Sequence, residues 1–382
     1  MTRKTENNNT TSQNKEVLYI NEGEKVDLPR IFHKCNNLSA IIYDQLIEIY
    51  KMDNYSALLE TEVLRPENNE RFKKEFEKGS IHALDWLKEN DLNSLNIVIT
   101  KQLTLAIVSD FINFMYESMR CAKNGKLTVA YALLRKPLTD ELLILEQLYI
   151  NKGDFINKFF IDGEIKNYDP SSRNIDKQNI ISQAVNKLNL KSLFSETEIY
   201  KIRYDKSCDY GLNGITNHAL HIVTNDSNYR TEKQNLNFVF SVEEDIKLYR
   251  KHYYSFVPYL LIYAVSIIDG IVFELLDDED NQNLKAVKEL RRMVGILLFV
   301  CYKNSRSKNE IKKIFKELGE SLNYKCKNCQ HSNNLEYEDF QLFFETEILI
   351  CEKCLNNLIS TPESIEPIKS FLNDLKLASS EK

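Results

Sequence analysis

Residues 94–125 read SLNIVITKQLTLAIVSDFINFMYESMRCAKNG, and no proline or interior glycine breaks the run. Val98, Leu103, Leu105, Ile107, Phe111, Phe114 and Met115 fall on more than one helical face, which predicts one long helix, Ser94–Lys123, crossing the interior. Gly125 stands where such a helix ends. A second helix, Lys126–Asn151, is expected to kink at Pro137 and to close at Gly153. Together they predict a central helical hairpin. With only 10 glycines and 7 prolines in 382 residues, tight turns are few, and the fold class is mainly α, a multi-helix bundle.

Working outward, Asn37 is placed to cap a helix to Met52 carrying Leu38, Ile41, Ile42, Leu46 and Ile49 on one stripe. Val17–Phe32 has no clear helical period and reads as a short strand or an extended lead-in. Ser195 with Glu198, and Ser241 with Glu244, have capping-box spacing and open helices to about Tyr204 and Leu276. Phe256–Ile268 holds 13 residues without a charge before Asp269 and Glu274 intervene. That is too short for a membrane span and predicts a buried core helix. The chain divides into a disordered tail, 1–16, a helical domain, 17–323, and a cysteine-bearing unit with a terminal helix, 324–382.

That last unit carries Cys326-Lys-Asn-Cys329 and Cys351-Glu-Lys-Cys354, two C-x2-C pairs with 21 residues between them. The spacing is that of a four-thiolate zinc site, each pair wrapping a tight turn round the metal. The intervening residues are expected to form a short β-hairpin, giving a small zinc ribbon. Four cysteines close the coordination sphere, so the Zn2+ is expected to be structural, with His331 as the one substitute ligand nearby. Cys35, Cys121, Cys208 and Cys301 are scattered, which suits a reducing, cytoplasmic setting. Met1–Glu16 has no apolar run of a signal peptide.

Charge is unevenly spread. The chain carries net −6, yet Lys285–Lys316 holds ten basic residues against Glu289 and Glu310, a local +8. Such a band is the electrostatic footprint of a phosphate backbone, with Arg291, Arg292, Lys312 and Lys313 as the expected contacts to RNA or another nucleic acid. Its other reading is two solvated helix faces balanced by acidic segments such as Glu274–Asp280. The stretch Lys325–Asn356 is acidic, at net −3, which favours a staple or a protein-binding edge over a nucleic-acid grip. Long apolar helices also admit a homodimer.

Chemistry-bearing residues concentrate in Arg203–His221. Arg203 could fork a phosphate with His218 or His221 as general acid or base, and Asp205 with the histidines could ligate a metal. His218 and His221 lie three apart, on one face of a helix expected to start at Thr216. Against this stands the plain reading of a hydrogen-bonded histidine pair. Arg135, in an apolar stretch, needs a partner if buried, with Glu141, Glu146 or Asp205 in reach. No phosphate-binding P-loop, dinucleotide-binding glycine fingerprint, zinc-protease helix or nucleophile elbow occurs, which removes ATP-driven and Rossmann chemistry.

The hairpin segment Thr128-Val-Ala-Tyr-Ala-Leu-Leu-Arg135-Lys-Pro-Leu, followed by Arg203–His221, resembles the HEPN-like helical proteins of prokaryotic conflict and antiviral defence systems over about 100 residues. The resemblance implies a helical bundle and an RNA substrate. Ribonuclease members carry an arginine and a histidine with four to six residues between them, a pair this sequence lacks. Two functional expectations follow. One is a ribonuclease-like or RNA-binding protein using the basic band with Arg203, Asp205, His218 and His221. The other is a non-catalytic interaction or regulatory subunit contacting a protein partner through the zinc ribbon and terminal helix.

Overall fold

The computed structural model describes residues 17–60, 74, 77–79, 82–276, 279–304 and 308–380. The expected tail, 1–16, and Arg306 of the basic band lie outside them. The described residues form fourteen α-helices and no sheet, so the mainly helical fold class holds. In order these are α1 (His33–Lys51), α2 (Ala83–Asn90), α3 (Leu92–Lys123), α4 (Leu127–Arg135), α5 (Leu142–Ile150), α6 (Lys152–Ile156) and α7 (Lys177–Lys187). Then follow α8 (Glu196–Arg203), α9 (Leu212–Leu220), α10 (Glu243–Leu275), α11 (Glu279–Lys303), α12 (Lys308–Leu322), α13 (Tyr337–Thr346) and α14 (Glu366–Ser380).

The expected hairpin is present as α3 against α4 and α5, but it is not the centre. By length and composition α3 and α10 could each cross a membrane, yet the apolar window of α10 is 78% buried in this fold and that of α3 only 39%. Leu260, Leu261, Ile262, Tyr263, Ala264 and Val265 have no exposure at all. A helical stretch buried on every side lies at the core, and in α10 it spans Tyr253–Phe273. It runs unbroken through Pro258.

Tyrosines fasten the neighbours to it, since a buried ring brings a hydroxyl that needs a partner. Tyr254 Oη donates to Asn36 Oδ1 of α1 at 3.2 Å, and Tyr253 Oη lies 2.9 Å from Ser118 Oγ of α3. Tyr131 Oη of α4 donates to the Tyr249 carbonyl at 2.8 Å. Tyr259 Oη accepts from the Ser195 N–H that precedes α8, at 3.1 Å. Asn37, expected as a cap, lies inside α1 and instead pairs with both backbone groups of Ile20, at 2.8 Å each, pinning the lead-in along the helix. Ser195 caps α8 as expected, whereas α10 is capped at Val242, whose N–H bonds Asp245 Oδ2 at 2.9 Å.

Pro137 widens the helix rather than ending it. Lys136–Glu141 is a π-turn joining α4 to α5, the local form expected where an i−4 hydrogen bond is missing. Its carbonyls at Leu138 and Thr139 accept from Arg203 Nε at 2.7 Å and from Tyr204 Oη at 2.5 Å. Arg203 also ion-pairs with Glu146 Oε1 at 2.5 Å, both side chains 0% exposed. Tyr263 Oη donates to the same oxygen at 2.7 Å. The buried arginine is therefore Arg203, and Arg135 is exposed. Removing one partner of a buried pair costs about 3–5 kcal/mol. Arg203→Met is expected to lose that much in urea unfolding, with Arg203→Met/Glu146→Met nearer to wild type than either single variant; additive losses would contradict the pairing.

Glu141, at the end of the π-turn, is buried with Oε2 unpartnered. Burial first, and Asp110 beside it second, push its carboxyl up from 4.5 to about 8. The folded chain thus holds this proton more tightly than the unfolded chain. Stability is expected to fall as pH rises from about 4.5 to about 8. In a pH series of unfolding midpoints, Glu141→Gln should flatten this fall.

Candidate metal centre

The strongest site is built by two backbone turns. Cys326 N–H donates to the His331 carbonyl at 2.8 Å and Gln330 N–H to the Cys326 carbonyl at 2.8 Å. The second turn repeats this, Cys351 N–H to the Asn356 carbonyl and Leu355 N–H to the Cys351 carbonyl, both 2.9 Å. Each closes on an isolated bridge, Lys325 with Ser332 and Ile350 with Asn357. Gln330 (φ 57°) and Leu355 (φ 61°), one residue past each second cysteine, are left-handed. The turn requires this conformation even without glycine, at about 1–2 kcal/mol each.

All four sulfurs lie within 4.8 Å of one another. Cys326 and Cys354 sulfurs are 3.5 Å apart, and those of Cys329 and Cys351 are 3.7 Å apart. A tetrahedral metal about 2.3 Å from each sulfur needs edges of about 3.8 Å. The donor set therefore fits a metal ion held by Cys326, Cys329, Cys351 and Cys354, with no open position. His331 is not among the ligands: its Nε2 lies 2.5 Å from Glu352 Oε1. Asn333, which the sequence reading passed over, stitches the turns together. Its Oδ1 accepts from Glu352 N–H at 3.0 Å and its Nδ2 donates to the Tyr324 carbonyl at 3.3 Å.

Between the turns the chain is helical, as α13, rather than the expected β-ribbon. Tyr337, Phe340, Phe343 and Phe344 are buried at helical spacing. Phe315 of α12 packs on Tyr337 and Phe340, with centroids 5.4 and 5.5 Å away. Close seating needs Gly319, where an added Cβ would fall 2.0 Å from the Leu335 carbonyl oxygen.

Two residues of the basic band, Lys288 and Arg291, form the socket for this unit. Arg291 is buried, donates from Nε to the Phe344 carbonyl at 2.8 Å near the end of α13, and pairs with Glu347. A cation there also meets the helix dipole. Lys288, 1% exposed, pairs with Glu347 of this unit and Glu48 of α1, each at 2.5 Å. Arg292 is buried against Asp269 at 2.8 Å. Arg291 and Arg292 thus face inward, not toward a nucleic acid. Lys312 and Lys313 are at the surface, paired with Glu338 at 3.0 Å and Glu317 at 3.7 Å.

Nor do the expected catalytic residues converge. Arg203 is sealed in the core with Glu146. Asp205 accepts from Ser207 N–H at 2.9 Å in its own turn. His218 Nε2 sits 2.6 Å from the Tyr229 carbonyl. His221 is exposed just past the end of α9, which runs from Leu212 to Leu220 and does not begin at Thr216.

Stripping the metal with a thiol reagent and chelator is expected to raise amide exchange across α13 and both turns and to lower the melting temperature; protection unchanged without metal would refute a structural role. Comparison with family models, with curated proteins and with solved structures finds no match to this chain.

Proposed function

We propose that the chain is a non-catalytic interaction subunit, a helical body clasped by a structural zinc, that binds a protein partner through an apolar face at residues 220–248. The closed thiolate set and the scattered free thiols Cys35, Cys121, Cys208 and Cys301 suit zinc in a reducing cytoplasm. The HEPN-like resemblance enters this reading as a helical scaffold only, since Arg203 is committed to Glu146.

One observation carries the proposal. Leu220 (44%), Ile222 (63%), Val223 (61%), Val239 (57%), Phe240 (62%), Val242 (56%) and Leu248 (62%) are all exposed. Two segments are tied side by side, with Asn237 N–H donating to the Ile222 carbonyl at 2.9 Å. The adjoining Phe238 is locked inward, its ring 4.6 Å from Tyr249. Ile222, Val223, Val239, Phe240 and Val242 are therefore presented on anchored segments between α9 and α10, and exposed apolar patches mark interaction sites.

A photo-crosslinking amino acid at position 239, introduced in expressing cells, should give discrete protein adducts, with position 313 as the control. Ile222→Asp/Phe240→Asp should cut the adducts at least tenfold and leave the melting temperature unchanged, as surface changes do. Adducts no stronger than the control would overturn the reading, as would tight, salt-steep binding of single-stranded RNA to the purified chain.

A further inference from the structure

Between the end of α5, α6, the loop at 163–176 and one face of α7 lies a cleft of about 350 Å³. That volume falls within the range of small-molecule sites, roughly 300–1,000 Å³. Six of its thirteen lining residues are asparagine or glutamine, so carboxamides decide what it can recognise. Asn151 is engaged as the cap of α6, and Gln147 by the Leu143 carbonyl. The carboxamides of Asn167, Asn174, Asn179 and Gln183 engage no protein group among the described residues, and all four residues are at least partly exposed. Asn179, Ile180 and Gln183 share one face of α7. The loop side is anchored: Asp169 accepts from Ser171 N–H at 2.8 Å, and Tyr168 packs edge-on against Phe159 at 5.2 Å.

The charged groups of the lining already have partners. Lys158 pairs with Asp154 at 2.6 Å, Lys166 with Glu164 at 3.3 Å, and Asp176 accepts from Asn179 N–H at 3.0 Å. Two lysines and two aspartates also balance, so the cleft favours neither an anion nor a cation. A carboxamide sets a donor beside an acceptor, which is the pattern along the edge of a nucleobase. Ile150, Ile175 and Ile180 add aliphatic surface. A saccharide would use the same amides but has little apolar area to bury on isoleucine, whereas a base has two apolar faces.

We propose that this cleft binds a neutral nucleoside, its base edge on the carboxamides of Asn179 and Gln183 and its ring against the isoleucines. The site is separate from both the metal centre and the apolar face at 220–248.

Isothermal titration of the full chain with adenosine, inosine, cytidine and uridine tests this, with maltose and the 5′-monophosphates as comparators, at constant ionic strength. At least one nucleoside should bind one to one, at least tenfold more tightly than maltose and no more weakly than its monophosphate. Asn179→Ala/Gln183→Ala changes exposed positions, should keep the melting temperature, and should weaken that nucleoside at least tenfold. Gln178→Ala, on the same helix but outside the cleft, should bind as wild type does. Should the double variant fail to fold, Asn167→Ala/Asn174→Ala removes the loop-side amides and should weaken binding likewise. The proposal fails if no nucleoside binds, if maltose binds as tightly, if a monophosphate binds more tightly than its nucleoside, or if a folded cleft variant binds unchanged.

Discussion

The hydroxyls of Tyr253, Tyr254, Tyr259 and Tyr263, all on α10, reach Ser118, Asn36, Ser195 and Glu146, and these four contacts set where the surrounding helices lie. An apolar helix buried on all sides gives only non-directional attraction to its neighbours. Any leucine-rich surface could slide along it. A buried phenol cannot slide, because a hydroxyl moved off its partner loses a hydrogen bond in a dry interior. Burial makes the bundle compact, and the tyrosines give it one register.

The same requirement governs the charges. Arg203, Lys288, Arg291 and Arg292 are all nearly excluded from water, and each has a carboxylate within ion-pair distance. A desolvated cation is tolerated only on those terms. Within the +8 stretch, Lys288 and Arg291 turn inward, so that α11 grips the end of α13. Three cations of that stretch, Lys288, Arg291 and Arg292, are satisfied by the protein's own Glu48, Glu347 and Asp269.

Local features were legible in the sequence. The cysteine spacing picked out the four sulfurs that cluster because each turn involves only a few consecutive residues, and scarce glycine and proline announced helices. Partners far along the chain were not legible: Lys288 meets Glu48 across 240 positions and Arg291 meets Glu347 across 56. Some signals were present but passed over. Ile199, Ile202 and Arg203 share one face of α8 and are all buried, so the arginine stood in an apolar stripe. Phe340, Phe343 and Phe344 likewise carry the spacing of a helix and not the alternation of a ribbon. Asn37 misled because a helix-capping asparagine and one that pins a neighbouring strap have the same composition.

Glu347, left-handed at φ 59° just past α13, accepts from both Lys288 and Arg291. It follows them by 59 and 56 positions. As the chain leaves the ribosome from its N-terminal end, α1 and α11 are made well before this acceptor emerges. Until then Glu48 is the sole one of the two carboxylates available to both cations, and the seat for α13 stays open to water. The body therefore cannot reach its final, dry state during synthesis of its own residues. Closure waits for the unit that carries the four clustered cysteines.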